Sequence, residues 1–127
     1  MPKIGSGDWN DGMNMVGKEE KGESVWLGFF LYQILQEFAE IAKFKNENEL
    51  ANIYQEIAEQ LKGTLNTNAW DGRWFKRAFA DNGDAYGSIE NDECRIDSIA
   101  QSWSVISEAG EEEKQIQAME SLENHLV

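Results

Sequence analysis

The chain has 127 residues, 24 acidic and 11 basic, for a net charge of −13. That length allows one domain at most, with enough mass for a real core. The charge excludes the Lys/Arg stripe that nucleic acid or an anionic membrane needs, the single cysteine (Cys94) excludes an intrachain disulfide and a cysteine-based metal site, and no apolar run is long enough to span a membrane.

In chain order, residues 1–22 read as loop, with five glycines and one proline. Within it, residues 5–12 are Gly-Ser-Gly-Asp-Trp-Asn-Asp-Gly, so Asp8 and Asp11 flank Trp9 and Asn10. A glycine-bounded loop cannot pair its backbone inside a helix or strand, so it belongs at a surface or cleft. These residue types suit a carbohydrate. The Trp9 indole is a flat apolar face for a sugar ring, Asn and Asp bond hydroxyls, and one Asp can move a proton. A carboxyl held against an indole is partly desolvated, which raises its pKa towards what a general acid needs. The plainer alternative is an Asx-turn in which these side chains bond local N–H groups.

From Glu23 the pattern changes. Ser24 or Glu23 can cap a helix of about twenty residues in which Trp26, Leu27, Phe30, Leu31, Ile34, Leu35, Phe38, Ile41 and Ala42 form a wide apolar stripe, expected to be well buried. A second helix is predicted from about Glu47 to Leu61, with Leu50, Ile53, Tyr54, Ile57 and Leu61 on one face and Gly63 as its stop. The short link 43–46 predicts an antiparallel hairpin. Residues 64–94 are aromatic and glycine-punctuated. Alternation of Trp74, Lys76 and Ala78 against Phe75, Arg77 and Phe79 predicts an extended stretch, and residues 81–84 a turn. A third helix is predicted over about 97–108, with Ile99, Trp103 and Ile106 on one face. A fourth runs from about Glu111 to the end, with Ile116, Met119, Leu122 and Leu126 aligned. Helix hairpins joined by long aromatic and acidic loops are the overall pattern, and long structured loops usually carry function.

Three further groups bear on chemistry. Trp70, Asp71, Arg73, Trp74 and Arg77 can line a sugar cleft, or equally form a core strand with salt-bridged flanks. The acids of residues 91–97 precede a helix start, where carboxylates favour the dipole in any protein, and capping accounts for Asp97 and Ser98. Asn82, Asp84, Tyr86, Gly87, Ile89 and Glu93 fall at calcium-loop positions, but the first and fifth residues are wrong and no amphipathic helix precedes them. The charge runs 18–21 and 111–113 read as solvated faces, and His125 is given no role.

Three blocks together resemble the inverting β-glucoside phosphorylases of glycoside hydrolase family ninety-four: residues 5–14, 70–79 (Trp-Asp-Gly-Arg-Trp-Phe-Lys-Arg-Ala-Phe) and 91–103 (Asn-Asp-Glu-Cys-Arg-Ile-Asp-Ser-Ile-Ala-Gln-Ser-Trp). Residues 22–28 agree as well. The third block is most similar to the cyclic β-1,2-glucan synthase and β-1,2-oligoglucan phosphorylase branch. The resemblance runs in order over nearly the whole chain. It implies a mainly α fold, helix hairpins forming part of an (α/α)6 barrel, with residues 1–127 a partial catalytic domain. It makes Asp11 the general acid and Trp9 a sugar-subsite residue. Asp8 orients the loop and, with Arg77 and Gln101, is carried as a substrate-binding candidate.

The implied reaction needs no cofactor or metal. An inverting hydrolase requires two carboxylates, whereas a phosphorylase requires only the acid, because inorganic phosphate is itself the nucleophile. The partners implied are a β-glucan oligosaccharide and phosphate, or α-glucose 1-phosphate in reverse. The family's phosphate-binding histidine block has no counterpart here, so the chain is expected to be part of a larger protein and inactive alone. A cytoplasmic setting is expected, within a larger membrane-associated synthase if the parent is one, without membrane contact by this segment. The alternative function is a non-catalytic acidic helical module that binds glucan or calcium. Exposed apolar faces such as Phe29–Leu35 make self-association a further expectation.

Overall fold

The computed structural model describes all 127 residues as four helices and a small three-stranded sheet. The strands are β1 (Glu23–Ser24), β2 (Ala78–Phe79) and β3 (Ala85–Tyr86), and the helices α1 (Val25–Phe44), α2 (Asn48–Asn68), α3 (Ser98–Ile106) and α4 (Glu112–Leu126). A mainly α architecture of hairpins and long loops, consistent with part of an α/α barrel, is therefore what the chain adopts. The sheet is antiparallel in the order β1-β2-β3. The residue 81–84 turn joins β2 to β3, as its composition predicts.

α1 starts where its cap predicts. Ser24 is extended, and its hydroxyl accepts from the Leu27 N–H at 3.1 Å. The hairpin with α2 is antiparallel: Gly28 lies against Leu65, Lys62 over the Tyr32 ring, and Phe38 against the edge of Tyr54. A Cβ at Gly28 would sit 2.8 Å from Leu65, so the glycine allows the close approach of the two helices.

The inward faces differ from expectation. α1 buries Val25, Phe29, Tyr32, Leu35, Ala39 and Ala42, whereas Phe30, Phe38 and Ile41 of the predicted stripe are exposed. Its apolar residues cover most of the circumference, so periodicity could not select the inner side. Within Phe29–Leu35, Phe29, Tyr32 and Leu35 are enclosed by this chain and Phe30 is exposed, and more open apolar surface lies at Phe38, Ile41 and Phe44. α2 turns Ala51, Ala58, Leu61 and Leu65 inward and leaves Leu50, Ile53 and Ile57 outside. Two alanines, Ala51 and Ala58, let the helices approach closely, and Leu61 and Leu65 fill the space towards the core. Gly63 does not stop α2, because it occupies an open helical position and the turns beyond it are fixed by buried Leu65 and Asn66. The Asn66 carboxamide donates to Ala109 O (2.7 Å) and accepts from Glu111 N–H (2.8 Å), joining α2 to the α3–α4 link.

In the extended stretch Trp74, Phe75, Arg77 and Ala78 are all buried, so the predicted alternation is absent. Strand geometry holds only at Ala78–Phe79. α3 buries Ala100, Gln101 and Ser104, with Ile106 exposed, and α4 buries Ala118 and Ser121, with Ile116, Met119 and Leu126 exposed. The main core gathers Phe29, Leu65, Trp74, Phe75 and Ala100, with Phe29 edge-on to Phe75 at 5.1 Å.

Candidate active site

The residue 5–22 loop is closed at its neck, where Ile4 N–H donates to Gly22 O at 2.9 Å. Beneath it Ile4, Val16 and Ala78 form a separate small core. At the tip Asn10 has extended dihedrals and its side chain accepts from Gly12 N–H at 2.9 Å. This caps a single 3-10 turn, Asp11–Met13, that begins with Asp11. The Asx-turn and the functional reading therefore coexist: Asn10 makes the turn, and the turn presents Asp11. Asp11 is exposed and Trp9 is 68% exposed. The desolvation expected around Asp11 is not provided by this chain.

Asp8 is the opposite. Its side chain is fully enclosed and makes a two-pronged ion pair with Arg77, at 2.6 Å (Nη1–Oδ2) and 2.8 Å (Nη2–Oδ1). It also accepts from the Ser24 hydroxyl at 2.7 Å and from Asn10 N–H at 3.0 Å. Burial pushes the Asp8 pKa up, but hydrogen bonds from Arg77, Ser24 and Asn10, with the Arg77 charge, outweigh it and hold the carboxyl below its usual range. Asp8 is thus a fixed anion, unsuited to deliver a proton near neutrality.

Arg77 is itself 3% exposed and belongs to the structure on every side. Its N–H donates to Tyr86 O, its carbonyl accepts from Val25 N–H, and its Nε lies 3.7 Å from Asp97. Gly87, at φ +69°, passes so near that an added Cβ would lie 2.9 Å from the Arg77 Cβ, so glycine is required there. Gln101 is also fully buried. Its Oε1 accepts from Phe75 N–H at 2.8 Å, and its Nε2 donates to Phe75 O at 2.8 Å and Asp97 O at 2.9 Å. With its carboxamide so engaged it has no face open to a ligand, so its geometry is that of a backbone clamp. Trp74 and Asp71 are likewise structural, the former donating to Gly87 O and Arg95 O, the latter accepting from the Ser88 hydroxyl and the Ile89 N–H.

A cleft of about 370 Å³ opens between Trp9 and Asn10 on one side and Asp97, Ser98, Ser102 and Trp103 on the other, with Arg77 contributing to its lining. Asp11 is outside those walls. Asp97 both caps α3, accepting from Ile99 N–H at 2.9 Å, and turns its other oxygen towards Arg77. Sequence reasoning assigned Asp97 and Ser98 to capping alone. The signal it passed over is the spacing of Ser98 and Ser102, four apart on one helix face. The calcium-loop positions do not converge: Asn82 and Asp84 bond one another across the hairpin turn.

The catalytic-domain model of the glycosyl hydrolase 94 superfamily matches residues 1–127. The chain belongs to this family. It is 43% identical over its full length to the cyclic beta-(1,2)-glucan synthase NdvB of Rhizobium meliloti (strain 1021), of which it covers 4%. It is 40% identical over 94% of its length to the solabiose phosphorylase of Paenibacillus borealis and 36% over 97% to the cellobionic acid phosphorylase of Neurospora crassa, covering 16% of each. The chain thus spans a small fraction of these family members. All three blocks that carry the resemblance meet at one place, with Asp8 from the first, Arg77 from the second and Asp97 from the third joined through one guanidinium.

Proposed function

We propose that this chain is the part of a β-glucan phosphorylase-type catalytic domain that carries the general acid, Asp11. The observation that supports the reading best is the contrast within one motif: Asp8 is buried, paired and held as an anion, while Asp11, three residues on, begins a capped turn and is free to meet a substrate. In this reading Asp11 protonates the departing glycosidic oxygen. Inorganic phosphate attacks the anomeric carbon from the opposite face, giving α-glucose 1-phosphate with inversion and a shortened glucan. Reversal of the same steps extends a glucan. Trp9 stacks on a sugar beside the bond that breaks, and the cleft towards Trp103 receives the adjoining ring. Arg77 lines that cleft while holding Asp8, and Gln101, fully buried, acts through the backbone it clamps.

The similarity to the cyclic beta-(1,2)-glucan synthase favours β-1,2 linkages. The rest of the barrel and the phosphate site lie on other segments of the parent protein, so this chain alone is inactive. No helix is long and apolar enough to cross a membrane. The deciding experiment measures α-glucose 1-phosphate release from β-1,2-glucooligosaccharides plus phosphate, using the longest natural polypeptide that contains this segment, with and without Asp11→Asn. Release lost on substitution supports both reaction and acid. Release that persists removes Asp11 from the role. The exposure of Trp9 beside a cleft also favours a second reading, a non-catalytic glucan-binding module, which saturable oligosaccharide binding without turnover would establish.

A further inference from the structure

The acid loop is held at its tip by Asp8, but its return limb is held by a residue that no motif singles out. Asp81 opens the turn between β2 and β3. Its carboxylate leaves the hairpin and accepts three backbone N–H groups: Glu19 at 2.7 Å on Oδ2, and Lys21 at 3.0 Å and Gly22 at 2.8 Å on Oδ1. Its own N–H donates to Val16 O at 3.0 Å. One residue therefore makes four hydrogen bonds to residues 16–22, and those three amides have no backbone acceptor. The limb is otherwise unfavourable. Glu20 sits at φ +61° without being glycine, and such a conformation persists only when its surroundings over-determine it. Gly22 is wedged so closely that a Cβ would lie 2.8 Å from Val16 O and 2.9 Å from Phe79 O. Gly22 O also accepts the Ile4 N–H that closes the neck of the loop. The hydrogen bonds donated by Glu19, Gly22 and Lys21 keep the Asp81 carboxyl below its usual range against the opposing effect of burial, so the anchor is anionic under ordinary conditions.

We infer that Asp81 is a positioning residue for the reaction: it fixes the return limb and neck of the loop and thereby sets where Asp11 stands. Asp81 lies outside the Trp9–Trp103 cleft. The inference rests on the proposed role of Asp11, and it also makes a claim about the loop that can be read without any turnover.

The test uses Asp81→Asn in the full-length protein that contains this segment. An asparagine keeps the size, retains one acceptor oxygen and replaces the other with a donor that meets the Glu19 N–H. Two readouts are taken together. Amide hydrogen exchange should accelerate at least tenfold in residues 13–22 and stay unchanged in α1 and α2. Phosphorolysis should show a fall in kcat of roughly ten- to a hundredfold, with KM for the oligosaccharide within about twofold, as expected when an acid is misplaced and binding is not. Asp81→Glu, which keeps the anion on a longer stem, should recover part of both effects. Unchanged exchange in residues 13–22 overturns the anchor. Faster exchange with undiminished kcat overturns the positioning role. If the unsubstituted protein has no phosphorolytic activity while exchange still responds, the anchor stands and the reaction assigned to Asp11 is what fails.

Discussion

The loop-and-sheet half of the molecule and the outer faces of its helix hairpins are built on opposite terms. Around residues 4–24 and 70–101 nearly every buried polar group is paired. Asp8 meets Arg77, Gln101 grips Phe75 from both sides, and Trp74 donates to two carbonyls. On the hairpins the inner faces bury Phe29, Leu35, Leu61 and Leu65 beside small residues, while Phe38, Ile41, Phe44, Leu50, Ile53 and Ile57 of α1 and α2 stand open. A groove between α3 and α4, lined by Val105, Ile116, Met119 and Leu122, is open as well. Polar pairing at this density fixes a unique geometry, whereas open apolar faces of this extent mark surfaces that other protein covers. The chain therefore holds its acid loop by internal contacts and leaves the outer faces of its helices uncovered.

The largest effect expected within this contrast is chemical. Asp11→Asn should lower kcat of the longest natural polypeptide by about 10²–10⁴-fold, the range for a general acid. The melting of the chain should not change, because Asp11 is exposed and takes part in no ion pair. A matching loss of stability would mean that Asp11 belongs to the structural half instead.

Next comes Arg77→Met. It leaves Asp8 enclosed without its cation and should destabilise the fold by about 3–5 kcal/mol, measured by urea unfolding. Removing both charges, as in Asp8→Asn with Arg77→Met, should recover much of that loss, and a double-mutant cycle would show a strong coupling. Gln101→Leu should cost about 2–3 kcal/mol, because the Phe75 N–H loses its acceptor in a fully buried site. A cost below about 0.5 kcal/mol would show that Phe75 can be held without it.

These interactions explain what the sequence could and could not disclose. Helix starts were legible because capping is local: Ser24 and Asp97 lie next to the residues they serve. The acid loop was legible as a contiguous motif. The Asp8–Arg77 pair joins residues 69 apart, and no spacing rule reaches that far, so the sequence left Arg77 open between a sugar cleft and a salt-bridged core strand. Gln101 entered only through the family resemblance, because a buried carboxamide and an exposed one look alike until its neighbours are known. Helix orientation failed for another reason. α1 and α2 carry large apolar residues on inward and outward faces alike, Phe29 and Leu65 inside and Phe38 and Ile53 outside. Periodicity marks apolar positions without saying which of two apolar faces is turned inward. The run of α2 through Gly63 is a tertiary effect, since Asn66 and Leu65 are fixed by contacts beyond the helix.

A smaller effect follows from pH. Asp8 and Asp81 both have pKa values below 3.8, the ordinary aspartate value. A carboxyl with a depressed folded-state pKa contributes stability that is complete above its unfolded value and is lost as pH falls through the folded one. The acid loop should therefore stay anchored down to about pH 4 and loosen only below 3.8, with exchange of residues 13–22 rising before that of α1 and α2. Loosening between pH 5 and 6 would require another titrating group.

The smallest expected effect tests the open faces. Ile53 is 51% exposed on α2, so Ile53→Lys should change the unfolding free energy of this chain, measured in urea, by less than about 0.5 kcal/mol, as for a surface substitution. The same change in the longer polypeptide should cost about 2–5 kcal/mol if another helix covers this face, since a charge would then be buried against apolar groups. Sedimentation gives a second reading. If the open faces drive association of the isolated chain, Ile53→Lys should shift it towards monomer. A substitution equally mild in both settings, with no shift in sedimentation, would mean that α2 faces solvent in the whole protein. The line between the two halves would then have to be drawn at the α3–α4 groove instead.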